Sequence, residues 1–376
     1  MTLSERDSAS RRVAFYISGH GFGHASRQIE IINALGVEIL VRTETPRWLF
    51  DRTVRVPFTF FECTCDTGIV QIDSLRLDEE QTVRRAADFY ASFDERVAQE
   101  AAFLHQHRVE LVVSDAPPLA CAAAELAGRR SIVISNFTWE WIYSGYQPLF
   151  DAIAPQVIPT IRQAYSASEG WRLPMHGGFG DMRTVRDLPW VARHATVRRD
   201  ETLRRLSIPA DRPLALSSFG GYGVRDFDPA SLDCLDTWTV IITGRERPSD
   251  LPAGVAFVNE HAMYAAGLRY EDLVAACDVV VTKPGYGIIS ECIANGTALL
   301  YTSRGRFVEY DVMVREMPRV LRCAYVDQET LLAGRWRLAL DMLRAAPPPP
   351  ERPDTNGAVV AAGRILSVIG GTREAS

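Results

Sequence analysis

Residues 13–41 read VAFYISGHGFGHASRQIEIINALGVEILV. The opening run, Val13–Ser18, is apolar and short enough for a strand. A Gly-rich turn follows, Gly19-His20-Gly21-Phe22-Gly23-His24. Ser26 is placed to cap a helix whose apolar residues Ile29, Ile32 and Leu35 fall on one face. Gly36 ends that helix, and Val37–Val41 reads as a second strand. A strand, a loop, a helix and a strand make the building block of a parallel sheet.

The pattern continues outward. Residues 83–105 carry apolar or small side chains at helical spacing, from Val83 and Ala87 to Leu104. Leu111–Val113 is the next strand, and it ends at Ser114-Asp115. Pro117-Pro118 then opens a helix of small residues that Gly128 closes, and Ser131–Ser135 is a further strand. The stretch from Asn136 to Arg193 is less regular and rich in aromatics, Gly and Pro. Alternation restarts with strands at 214–218, 238–243, 256–258, 279–282 and 298–301, and with helices at 271–276 and 288–294. The run Pro347–Pro350 breaks the preceding helix, and a last helix spans 358–369. The reading is an α/β protein of two sheet-forming halves, with the boundary near 185–212.

Composition narrows the function classes. The chain has 376 residues with 47% apolar and 23% charged side chains, which suits packed domains and not a disordered chain. Its net charge of −6 argues against a dedicated nucleic-acid binder. No apolar run reaches membrane-spanning length, and residues 1–12 lack the apolar core of a signal peptide. The seven cysteines are scattered without a CxxC pair, with Cys63 and Cys65 placed on a strand, so neither a disulfide framework nor a zinc site is expected. These features point to a cytoplasmic protein with reduced thiols.

Two Gly-rich turns follow strands, one in each half. In a parallel sheet such turns form the ligand-binding edge, because glycine admits close phosphate approach and helix N-termini offer N–H donors. In the first turn, His24 stands where a dinucleotide fingerprint needs Gly, which counts against a nicotinamide enzyme. His24 or His20 suits a general base, or else serves backbone bonding in a tight turn. Asp115, on the same sheet edge, suits an imidazole partner or a helix cap. In the second half, Lys283 and the turn Pro284-Gly285-Tyr286-Gly287 precede a helix bearing Glu291. Lys283 and the helix N-terminus suit a diphosphate; Glu291 suits ribose hydroxyls, or is a solvated Glu near a helix start.

Three stretches in order, SGHGFGHASR (18–27), SSFGGYG (217–223) and TKPGYGIISECIANGTALLYTSRGRFVEYDVM (282–313), resemble the GT-B glycosyltransferases, in their MurG-like and UDP-glycosyltransferase branches. A nearer likeness is to the glycosyltransferase-like N-terminal region of plant arabinokinases; their kinase half has no counterpart here. The resemblance implies two Rossmann-like domains facing each other across a cleft. Residues 1–195 would form the acceptor-side domain, 196–357 the nucleotide-sugar donor domain, and 358–376 a helix crossing back to the first. It implies catalysis by His24, with His20 as competitor and Asp115 in support. Ser218, Gly220, Gly221, Arg245, Lys283, Gly285, Tyr286 and Gly287 would line the nucleotide and its diphosphate. Glu291 would bind ribose, Glu309 and Tyr310 the donor sugar, and Ala262 and Met263 the base. Lys283-Pro284 replaces the His-Gly of many members, and Glu309 stands where many have Gln, which bears on the accepted sugar.

The implied activity is metal-independent, inverting transfer of a hexose-type sugar from a nucleotide sugar, UDP-linked by preference, to a small-molecule or lipid-linked acceptor. No cofactor is implied beyond that co-substrate, and no nucleic acid. The aromatics Phe137, Trp139 and Trp141 would floor the acceptor site, or pack against the sheet. Two other functions fit the same residues: a non-hydrolysing nucleotide-sugar epimerase, and a nucleotide-sugar-binding module without catalysis.

Overall fold

Runs of fully buried Val, Leu and Ile mark strands covered on both faces, the hallmark of parallel sheets. A computed structural model of the chain describes residues 11–219, 224 and 227–370. It contains two parallel sheets and divides into two units. Unit 1 comprises residues 1–70, 78–191 and the C-terminal segment from Asn356; unit 2 comprises Gln71–Leu77 and Ala192–Thr355.

The sheet of unit 1 has strands β1 (Arg12–Tyr16), β2 (Glu38–Thr43), β3 (Phe58–Glu62), β4 (Leu111–Ser114), β5 (Arg130–Phe137), β6 (Glu169–Gly177) and β7 (Thr184–Asp187). Their spatial order is β3-β2-β1-β4-β5-β6-β7, every pair parallel. Side chains alternate across β1 and build two cores. Val13, Phe15 and Ile17 pack with Ile29 and Ile32 of the first helix and with Ala361, Ala362 and Ile365 of the last. Ala14 and Tyr16 pack on the other face with Leu104, Ala120, Ala123 and Ala124. Each buried Val, Leu, Ile or Phe among them contributes about 1.5–3 kcal/mol. The final helix, Gly357–Gly370, is thus part of the unit 1 core.

Unit 2 carries β8 (Leu214–Ser217), β9 (Thr239–Gly244), β10 (Val255–Asn259), β11 (Val279–Thr282), β12 (Ala298–Tyr301) and β13 (Cys323–Tyr325). The order is β10-β9-β8-β11-β12-β13, again all parallel. Its core joins Val240, Val279, Val281 and Leu300 to Trp238, Trp336 and Leu340. Leu75 also lies in this core, which explains why Gln71–Leu77 groups with unit 2 although its flanks belong to unit 1.

Several local expectations are corrected. The first helix starts at Phe22, not near Ser26: Gly21, at φ 82°, takes the N-cap position, and Ser26 is buried inside the helix. His24 therefore sits in the first helical turn. The stretch 83–105 is two helices, Glu79–Ala91 and Phe93–Gln106, broken at Ser92, whose φ −115°, ψ 26° is not helical. The break lets Tyr90 and Phe93 stack at 4.8 Å. The irregular stretch 136–193 contains three short helices and strands β6 and β7. β3 stops at Glu62, so Cys63 and Cys65 lie beyond it; all seven cysteines are free thiols. Among the described residues, no helix is long and apolar enough to cross a membrane.

Candidate functional site

In both sheets the strand order reverses beside the first strand, between β1 and β4 and between β8 and β11. At such a switch point the loops leaving the two strands run in opposite directions, and a crevice opens at their carboxyl ends. The two motifs of each unit fall there. The loop after β1 carries His20, the first turn of the following helix carries His24, and the residue after β4 is Asp115. Ser218 follows β8, and Lys283 follows β11.

In unit 1, His24 Nδ1 bonds Asp115 Oδ2, and Arg27 Nη2 donates to Asp115 Oδ1. Gln28 Nε2 donates to the same oxygen at 3.1 Å and to the Ile134 carbonyl at 3.0 Å. Arg27 also reaches Asn136 Oδ1 at 2.5 Å. Asp115 is fully buried, and burial pushes its carboxyl up; the Arg27 guanidinium and His24 outweigh this and hold it well below the usual carboxylate range. Asp115 makes no cap on helix Pro118–Leu126, whose N-cap is Pro117. Toward an ionised carboxylate Nδ1 is the donor, and in the neutral imidazole Nε2 then carries the lone pair, the arrangement a general base requires.

A second buried carboxylate, Asp66, accepts from Ser18 Oγ at 3.0 Å and Trp139 Nε1 at 2.7 Å. Burial pushes it up to about 6, against the opposing influence of His24 and of these two donors. His20 lies edge-on to Trp139 at 6.1 Å and to His24 at 6.5 Å. It also lies over Gly68: a Cβ there would stand 2.6 Å from His20 Nδ1. Phe137 meets His24 edge-on at 5.5 Å and Trp139 at 5.1 Å, so the aromatic segment both packs and borders the histidines.

In unit 2, Ser218 Oγ bonds the Tyr270 hydroxyl at 2.6 Å, and its carbonyl accepts from Thr282 Oγ1, which ties the ends of β8 and β11 together. The helix Tyr286–Asn295 begins at Gly285 with no side-chain cap and no acidic residue in its first turn, which leaves its N-terminus electropositive. Lys283 is partly exposed by area, yet its ammonium is poorly solvated. Burial first, and Arg304 second, push it down to about 7 against the pull of Glu309. Arg304 is buried, donates to the Pro284 carbonyl at 3.3 Å, pairs with Glu309 at 3.6 Å and lies 3.4 Å over the Phe307 ring.

Glu291 is buried and ion-paired with Arg193. Burial raises its carboxyl, and Arg193 opposes the rise. Glu309 and Tyr310 lie at the start of helix Tyr310–Val320. Burial pushes the Tyr310 phenol up to about 12. Arg245 and Ala262 are exposed, whereas the Met263 side chain is wholly buried within helix Glu260–Ala265. Gly287 accepts from Ser290 Oγ at 2.9 Å. Gly220 and Gly221 lie outside the described residues. Among the described residues, no group of three His, Cys, Asp or Glu side chains is placed to hold a metal ion.

The sequence reading missed Arg27, Gln28, Asp66, Asn136, Arg193 and Arg304. Arg27 and Gln28 carry a usable signal, three and four residues after His24 on one helix face. Asp66, Asn136 and Arg193 meet their partners through the fold, without local spacing, whereas Arg304 has Phe307 and Glu309 close by in sequence.

No family model matches the chain. It is 29% identical over 335 residues to an L-arabinokinase of Arabidopsis thaliana, covering 86% of this chain but 31% of that protein. The chain thus spans about a third of the curated relative it matches. Among solved structures it is similar to CalG4, the calicheamicin glycosyltransferase, with a TM-score of 0.62 and 15% identity over 97% of this chain and 100% of that one. It is similar to UGT89C1 of Arabidopsis thaliana, at TM-score 0.60 and 12% identity over 96% of each chain. It is also similar to the glycosyltransferase VinC in complex with DTDP, at TM-score 0.54 and 17% identity over 96% of this chain and 95% of that one. The chain has the α/β fold of the GT-B glycosyltransferases, with two Rossmann-like sheets.

Proposed function

We propose that this chain is a nucleotide-sugar-dependent glycosyltransferase that moves a hexose-type sugar, with inversion and without a metal, to a small-molecule or lipid-linked hydroxyl acceptor. The observation that carries the reading is the buried His24–Asp115–Arg27 group on the carboxyl edge of its sheet. The tautomer held by Asp115 leaves His24 Nε2 to take the acceptor's hydroxyl proton. The acceptor oxygen forms its bond to the anomeric carbon as the bond from that carbon to the diphosphate breaks. The nucleoside diphosphate leaves with the electron pair, and its charge is met by Lys283 and the N-terminus of helix 286–295. Glu309, fixed by Arg304, is assigned to donor-sugar hydroxyls, and UDP is the first nucleotide to try.

The test is incubation with UDP-, GDP-, dTDP- and ADP-sugars and a panel of acceptors, in EDTA. The reading predicts one glycoside formed per nucleoside diphosphate released. The match to a third of an L-arabinokinase favours a second reading, a nucleotide-sugar-binding module inside larger proteins. Tight donor binding without product on any acceptor would select it, and conversion of donor alone into an isomer would select an epimerase.

A further inference from the structure

The guanidinium of Arg193 spends two donors on one oxygen. Nε, at 2.8 Å, and Nη2 both point to Glu291 Oε1. Nη1 turns away to Glu271 Oε2 at 3.3 Å. Glu271 is held from its other side by Arg269 Nε at 2.6 Å. The backbone of this segment is pinned as well. Asn295 Nδ2 donates to the Arg193 carbonyl at 3.0 Å and to the Glu291 carbonyl at 2.8 Å, and the Ala195 amide donates to Asn295 Oδ1 at 2.8 Å. Two arginines and two glutamates form a buried quartet whose formal charges cancel, which fixes the Arg193 rotamer and, through it, that of Glu291.

The result is an asymmetric carboxylate. Oε1 is saturated, whereas Oε2 is buried and has no hydrogen-bond partner among the described residues. A buried carboxylate oxygen without a donor is costly; the two Glu271 oxygens also lack a hydrogen bond, but they have arginine nitrogens at 2.6 and 3.3 Å. A carboxylate free of Arg193 would accept two neighbouring hydroxyls, one on each oxygen; this one accepts one.

We infer that Arg193 is a positioning residue that restricts Glu291 to reading a single ribose hydroxyl of the nucleotide, through Oε2. This rests on the proposed donor site and on the ribose role that the resemblance implies for Glu291, and it adds that the two ribose hydroxyls are recognised unequally.

The experiment is calorimetric titration of the full chain with UDP, 2′-deoxy-UDP and 3′-deoxy-UDP, with GDP, ADP and dTDP as further probes. Wild type is expected to lose about ten-fold or more in affinity for one deoxy form and less than about three-fold for the other. In Arg193→Lys, a single ammonium replaces the converging pair of donors, and the gap between the two deoxy forms shrinks to within about three-fold. Equal losses for both forms in wild type would overturn the inference, as would no loss for either. Full discrimination retained in Arg193→Lys would remove Arg193 from the role. If that variant fails to fold, the wild-type comparison still decides whether one hydroxyl or two are read. Failure of all four diphosphates to bind would instead strike the donor-site reading itself.

Discussion

Lys283 and Asp66 are the two residues whose protonation reports on the sites. If Lys283 meets the donor diphosphate as proposed, its ammonium, pushed down to about 7, would regain its proton on binding. Binding of a UDP-sugar, whose phosphates do not titrate there, should therefore weaken as pH rises through 7, by up to about ten-fold per unit. Calorimetry from pH 6 to 9 checks this, and Lys283→Met should flatten the profile. Asp66 has a folded value of about 6, above its ordinary one of 3.8. The native state thus holds a proton that the unfolded chain gives up. That contribution is fully present below about pH 4 and is lost as pH rises through about 6. Asp66→Asn should remove the loss, a difference of up to about 3 kcal/mol between the two proteins in urea melts at pH 4 and pH 7.5. A stability profile of Asp66→Asn parallel to that of wild type would contradict the assignment.

At the scale of elements, Gly68 shows how one turn serves the histidines. Its φ of 61° is left-handed, and a Cβ would strike His20. Gly128, at φ 63°, has nothing within 4 Å. Gly68→Ala should cost more stability than Gly128→Ala, by about 1 kcal/mol or more, because a collision adds to the shared backbone strain; thermal unfolding of both checks it. Equal costs would show that His20 yields freely. Elements with a clear period were legible: β1, the first helix and β2 follow from alternation, from Ile29, Ile32 and Leu35 on one face, and from Gly36. β6 was not legible, because Gly170, Pro174 and Gly177 obscure its alternation. The break at Ser92 was missed because the apolar period runs on through it. Asp115 was legible as a strand-end carboxylate on the right edge, but only the fold shows that it serves His24 and not a helix N-terminus. Arg193 was beyond reach, since its partner Glu291 lies 98 residues away.

For the whole molecule, the same strand order recurs twice, and each time it brings a loop after the first strand next to a loop after the fourth. One topology thereby supplies an imidazole–carboxylate pair in unit 1 and a cationic, glycine-lined turn in unit 2. The last helix closes the core of unit 1, and Leu75 closes part of that of unit 2. Truncation before Gly357 should therefore destabilise unit 1 selectively: hydrogen exchange should rise around Ile29 and Ile32 and stay unchanged around Val279 and Val281. The central claim is that His24 takes the acceptor's proton. Its most direct measurement is turnover and UDP affinity of His24→Ala beside wild type, once a donor and an acceptor are in hand. The account predicts that transfer falls about 100-fold or more while UDP affinity stays within about three-fold. Undiminished turnover in His24→Ala would contradict it.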